Sequence, residues 1–189
     1  NAAEGLRHWE HVRRLVRPLS HTPEALRLGI AACVGILNLC WRLGTPLAHA
    51  TDTFEEGRRL AEEAGDVRAQ AALHGTYGCA LGLVGGDSDD YVRYSREAIR
   101  LADQTEDQGL QIAQRAYLGF ASTFAGRLAE GVESCETACR TLPADPALGA
   151  EFTGYSPLLG ILMTHAWLLA RLGRLEESTA VCDRAERLA

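Results

Sequence analysis

The chain has 189 residues, 47% of them hydrophobic and 23% charged, which is ordinary for a folded protein with a substantial core. Its net charge of −6 argues against broad nucleic-acid binding, which needs a dense basic surface. All 19 basic residues are Arg, so a P-loop lysine, a Schiff-base lysine and a lysine general base are excluded.

In chain order the sequence reads as helix throughout. A first helix over 3–17 ends at Pro18. A second is capped by Thr22, has Pro23 at its first position and stops at Gly44. A third follows Pro46 and runs to Ala64, before the turn Gly65-Asp66. A fourth spans 67–84, ending at Gly85-Gly86. Asp87 or Ser88 caps a fifth that reaches Thr105. A sixth covers 107–125 and a seventh 128–141. Pro143-Ala144-Asp145-Pro146 cannot continue a helix, so the segment from Thr141 to Pro157 is expected to hold a loop or a short extra turn. The eighth helix ends at Gly173, and the ninth occupies 175–189 without a terminator, as if cut from a longer array.

Other features place the chain. The only Met is Met163, so the natural start lies elsewhere and Asn1-Ala2 reads as a cloning remnant. No signal peptide is visible. The apolar stretches are interrupted by Arg, Gly or His, and no transmembrane helix is expected. Six Cys without a secretory signal read as reduced core thiols of a cytoplasmic protein. The bias to Arg, Ala, Gly and Leu suggests a GC-rich bacterial coding sequence.

A period organises these helices. Gly44, Gly85 and Gly126 stand 41 residues apart; Leu60-Ala61 recurs as Leu101-Ala102, and Gly78 as Gly119. A fixed step of this length marks a stacked helical array. The first helix of each pair (31–43, 71–84, 112–125, 158–172) is apolar nearly all round, as a helix buried on several sides must be. The second is amphipathic: Tyr91, Tyr94, Ala98 and Leu101 share one stripe, with charge elsewhere. The expected fold is all-α, a right-handed superhelical solenoid of antiparallel helix pairs with about nine helices. It forms one repeat domain over 3–189, with repeats at 22–65, 66–106, 107–142 and 157–189.

Ala166-Trp167-Leu168-Leu169-Ala170-Arg171-Leu172-Gly173-Arg174-Leu175-Glu176-Glu177-Ser178, followed by Cys182 and Ala185, resembles a tetratricopeptide (TPR) repeat. It has the small residue seven before the turn Gly, the Leu two after it and the small residue twelve after it. Tyr117-Leu118-Gly119 with Gly126, Leu128 and Ala138 repeats that frame. So do Gly78, Gly85 and Ala98, with Gly86 inserted. Small residues let two helices approach closely, and the turn Gly accepts a left-handed conformation. The first repeat departs from the pattern, with Leu37 where a small residue is expected. The long period resembles repeats found C-terminal to ATPase modules in bacterial LuxR-type activators and class III nucleotidyl cyclases. That resemblance implies a regulatory module that binds an effector or a partner. The parent protein could then be an ATPase or an adenylyl or guanylyl cyclase.

In the repeat frame, the positions facing a concave groove are Asn38, Trp41, Arg42, Cys79, Leu83, Tyr117, Phe120, Phe124, Met163, Trp167 and Arg171. They would receive an apolar helix or extended peptide, with an acidic group for Arg42 or Arg171. The same stripe also fits packed core. Cys135 and Cys139 with His165, or His8 with His11, fall short of a four-ligand zinc set. Arg13-Arg14-Arg17, Arg58-Arg59, Glu55-Glu56, Glu62-Glu63 and Asp87–Asp90 read as solvated helix faces or helix starts. No nucleophile triad, phosphate loop or HExxH is present. The chain therefore reads as a non-catalytic interaction module without cofactor or metal. Its expected partner is a protein or peptide, either a separate chain or an intramolecular segment, and neither nucleic acid nor membrane. Two alternatives stay open: a sensor holding an apolar small molecule between Trp41, Phe120 and Trp167, and a homodimerisation module.

Overall fold

Helix starts are written into the chain as side-chain caps. Thr22, Asp66, Asp87, Asp107 and Ser156 each accept a hydrogen bond from the backbone N–H three residues on. Each such cap contributes about 1 kcal/mol. In the computed structural model, which describes residues 1–19, 22–141 and 143–189, the helices are α1 (Ala2–Val16), α2 (Pro23–Leu43), α3 (Leu47–Ala64), α4 (Val67–Leu83), α5 (Ser88–Ala102), α6 (Gln108–Phe124), α7 (Leu128–Thr141), α8 (Ala150–Thr153), α9 (Pro157–Arg171) and α10 (Leu175–Glu186). The described residues hold no strand. The nine long helices among the described residues match the expectation. The tenth element, α8, is a single turn inside the segment read as a loop or extra turn. α10 ends at Glu186, three residues before the predicted end. Asn1, set aside as a remnant, caps α1 through its side chain.

The chain divides into two compact units, Asn1–Thr105 and Glu106–Ala189. In the first, each helix packs on the next, and α2 also packs on α4. Close approach depends on glycine. A Cβ on Gly57 would lie 2.8 Å from Cys33 Cβ, and one on Gly78 would lie 2.9 Å from Tyr94 Cβ. The contacts Gly57–Cys33 and Gly29–Leu60 run α2 and α3 antiparallel. Leu37, the departure from the repeat pattern, is fully buried, and Gly29 on α2 and Gly57 on α3 supply the missing small residues. α1 and α3 run parallel, because Glu10, Arg13 and Arg17 meet His49, Thr53 and Glu56 in the same order. Antiparallel neighbours with parallel next-neighbours is what stacked hairpins require.

The second unit repeats that logic. α6 and α7 run antiparallel, with Gly119 against Cys135 and Gly131 against Ser122. α9 and α10 do the same, with Ser178 Oγ donating to the Ala166 carbonyl at 2.8 Å. α6 and α9 lie side by side in parallel, marked by Gly119 near Thr164 and Arg171 near Thr123. α7 packs on both.

Two expectations need correction. The left-handed residue in the second turn is Gly86 (φ 75°), whereas its counterparts Gly44, Gly126 and Gly173 stand at φ 61°, 69° and 78°. Gly85 keeps the 41-residue spacing for a different reason: a Cβ there would lie 2.7 Å from the Leu81 carbonyl oxygen. Sequence spacing and turn conformation are thus offset by one residue. α2, moreover, is long and apolar enough by length and composition to cross a membrane. Here it is a core helix, with Ala32, Cys33, Ile36, Leu37 and Cys40 wholly buried against its neighbours.

Candidate interaction surface

In the second unit, α7 closes one side of the α6–α9 seam. The uncovered side carries Phe120 and Phe124 from α6 and Met163, Trp167 and Arg171 from α9. Phe124 and Trp167 are each 46% exposed and Met163 is 61% exposed. Phe120 is half-buried and meets Phe124 edge to face, with centroids 5.0 Å apart. Arg171 crosses the seam and donates from Nη1 to the Thr123 carbonyl at 3.1 Å, at the C-terminal end of α6. This bond satisfies a carbonyl that the helix end leaves without an intrahelical donor. It also fixes a cation beside the aromatic pair. Met163, Trp167 and Arg171 follow one another at helical spacing on the open face of α9.

Tyr117 does not join them. It is 3% exposed, and the surface of α6 is made by the two phenylalanines. The first unit places its own candidates differently. Asn38 and Trp41 are half-buried and Arg42 is exposed, with its guanidinium 5.0 Å from the Trp41 ring centroid. Leu83 is half-buried and Cys79 is buried. All six thiols are free. Burial pushes Cys33, Cys79 and Cys135 up to about 12, which leaves them unreactive as nucleophiles at neutral pH. Among the described residues, no three His, Cys, Asp or Glu side chains converge on a metal-sized site. His165 packs in the core of the second unit, 3.8 Å from Glu136. Burial lowers its pKa below 6.5 and outweighs that half-exposed carboxylate.

One charged site departs from the solvated faces expected from the sequence. Arg13 is not on a solvated face; it is 4% exposed. Its Nη2 lies 2.7 Å from Asp52 and 2.6 Å from Glu56, and its Nη1 donates to Thr53 Oγ1 at 3.1 Å. Arg17 also bonds Glu56, whose side chain is 12% exposed and so is no exposed acid either. Burial alone would raise the Glu56 carboxyl, but bonds from Arg17 and Arg13 hold it below its ordinary 4.5. The signal was available: Arg13 sits on the stripe Leu6, Trp9, Arg13, Val16 that faces the core, so a charge there demands partners. Beside this network a cleft of about 270 Å³ is lined by Arg13, Val16, Arg17, Ala25, Leu26, Gly29, Glu56, Arg59 and Leu60.

No protein-family model and no curated protein matches the sequence. Solved structures do. A variant of a kinesin-light-chain candidate from Podosopora anserina, with nearly identical TPR-like repeats, superposes with a TM-score of 0.69 at 15% identity, covering 99% of this chain and 86% of that one. The same protein without that substitution gives 0.67 at 14%, with the same coverage. BtubC from P. vanneervenii gives 0.53 at 12%, covering 99% and 90%. The chain therefore has the all-helical fold of TPR-like repeat proteins, the superfamily that its repeat frame resembles.

Proposed function

We propose that this chain is a non-catalytic interaction module whose α6–α9 face binds an apolar helix or extended peptide carrying a carboxylate. One observation carries the reading: Phe124, Met163 and Trp167 stand open on a face with Arg171 fixed beside them. Aromatic, Met and Arg side chains are the residue types that anchor protein interfaces. Arg171 would pair the carboxylate while the aromatic and Met side chains bury the apolar anchors. In its wider setting the chain would regulate a larger cytoplasmic bacterial signalling or transcription-regulatory protein. That setting rests on the resemblance in repeat length.

Selection of peptides from a random library on the immobilised chain tests the reading. Enriched sequences should pair bulky apolar residues with Asp or Glu, and Trp167→Ala should weaken their binding at least about tenfold, or about 1.4 kcal/mol, with little change in melting. Unaltered binding by Trp167→Ala, or equal losses of binding and stability, would overturn it.

A further inference from the structure

The cleft in the first unit is independent of the α6–α9 face and has a chemistry of its own. Its floor is apolar, formed by Val16 of α1, Leu26 of α2 and Leu60 of α3. Its rim is cationic. Arg13 and Arg17 are each paired with Glu56 and with Asp52, which stands outside the lining, and Arg59 makes no ion pair among the described residues. Two carboxylates thus answer the Arg13 and Arg17 guanidinium groups, and the Arg59 guanidinium is the cation left over. The start of α2 offers few backbone N–H groups: Pro23 has none, Ala25 donates to Thr22 Oγ1 and Leu26 to the Thr22 carbonyl. A bare phosphate would therefore find no row of free amides and no use for the apolar floor. An amphiphilic monoanion satisfies both parts, since its carboxylate can accept from a planar guanidinium while its tail displaces water from the floor.

We propose that the α1–α2–α3 cleft binds a small carboxylate with an aliphatic or similarly apolar body, its head group held by Arg59 and Arg17. About 270 Å³ accommodates a chain of roughly eight carbons better than a folded cofactor. The interior Arg13–Glu56 pair stays intact on binding and supports the rim.

Octanoate is the probe, titrated into the full chain by calorimetry and by amide chemical-shift mapping. Saturable binding is expected with a Kd on the order of 1 mM or tighter, with shifts concentrated in α1, α2 and α3. Acetate, which lacks the tail, and octanol, which lacks the charge, should each bind at least about tenfold more weakly. Arg59→Gln should weaken octanoate binding at least about fivefold, whereas Arg14→Gln, exposed on α1, should leave it unchanged. Arg59 is exposed, so its replacement should not disturb folding, and an unchanged melting curve will verify this. Failure to saturate at about 10 mM, equal affinity for octanol, or unaltered binding by Arg59→Gln would each overturn the proposal. So would loss of binding in Trp167→Ala with retention in Arg59→Gln, which would place octanoate on the α6–α9 face instead.

Discussion

The two units place their aromatic clusters differently. In the first, Phe54, Tyr77, Tyr94 and His74 close around one another between α3, α4 and α5. Phe54 stacks on Tyr77 with centroids 4.2 Å apart and planes 8° apart, and Tyr94 meets both rings at 89°. Tyr77 also hydrogen-bonds Thr51 at 3.0 Å. In the second unit, Phe120, Phe124 and Trp167 sit on the rim of a packed helix pair. The repeat frame aligns Cys79 with Phe120 and Leu83 with Phe124. Equivalent positions thus carry a small buried thiol and an aliphatic in one unit, and large rings in the other. An aromatic ring stabilises a repeat when a neighbouring helix covers it. Where none does, it is left for something else to cover.

The largest test of that contrast is Phe54→Ala. Phe54 is 2% exposed and touches three rings, so its loss should cost about 3–5 kcal/mol, read by urea unfolding and by hydrogen exchange in the first unit. A cost under about 1 kcal/mol would make the aromatic cluster incidental. Gly119→Leu should follow. A Cβ at Gly119 already lies 3.0 Å from Cys135 Sγ, and the full side chain would force α6 from α7 at about 3 kcal/mol. Unaltered melting would refute the close approach that the repeat frame requires.

Acid should separate the units more gently. In the second, the lowered pKa of buried His165 means that the folded state resists a proton that the unfolded chain accepts near pH 6.5. Its stability is therefore full above that pH and falls as pH drops toward the lowered folded value. In the first, the Glu56 carboxyl is held below 4.5, so its contribution persists to lower pH and is lost only as pH falls through the folded value. Hydrogen exchange across a pH series should show the second unit loosening first, and His165→Gln should remove that early phase. Simultaneous loosening of both units in wild type would contradict these assignments. The smallest expected effect is Trp167→Ala, which should change unfolding free energy by less than about 1 kcal/mol because nearly half of the ring is already in water. A cost near that of Phe54→Ala would erase the distinction between the units.

Much of the fold was legible because its signals are local. Thr22 and Asp87 announce helix starts, and apolar periodicity separates buried helices from amphipathic ones. The role of Gly85 was not legible. Its spacing marks a turn, but only the backbone shows that Gly86 takes the left-handed position while Gly85 makes room for a carbonyl. The burial of Arg13 was not legible for a related reason: a run of arginines looks solvated until α3 brings Asp52, Thr53 and Glu56 to it. Of the candidate surface, Phe120, Phe124, Met163, Trp167 and Arg171 were identified from the repeat frame. Tyr117 shares the helical stripe of Phe124, seven residues before it, and its burial at that end of α6 is a tertiary outcome that spacing does not show.

The amino-acid order by itself determined the helices, their limits to within a few residues and their stacking as pairs. Caps, breakers and the 41-residue step act over a few turns of chain and need no distant partner. Tertiary structure alone decided which side chains are covered, which charges are neutralised and where a cleft remains. Those outcomes depend on residues some forty positions apart meeting across helix faces, and no local rule specifies which side of a helix its neighbour will occupy.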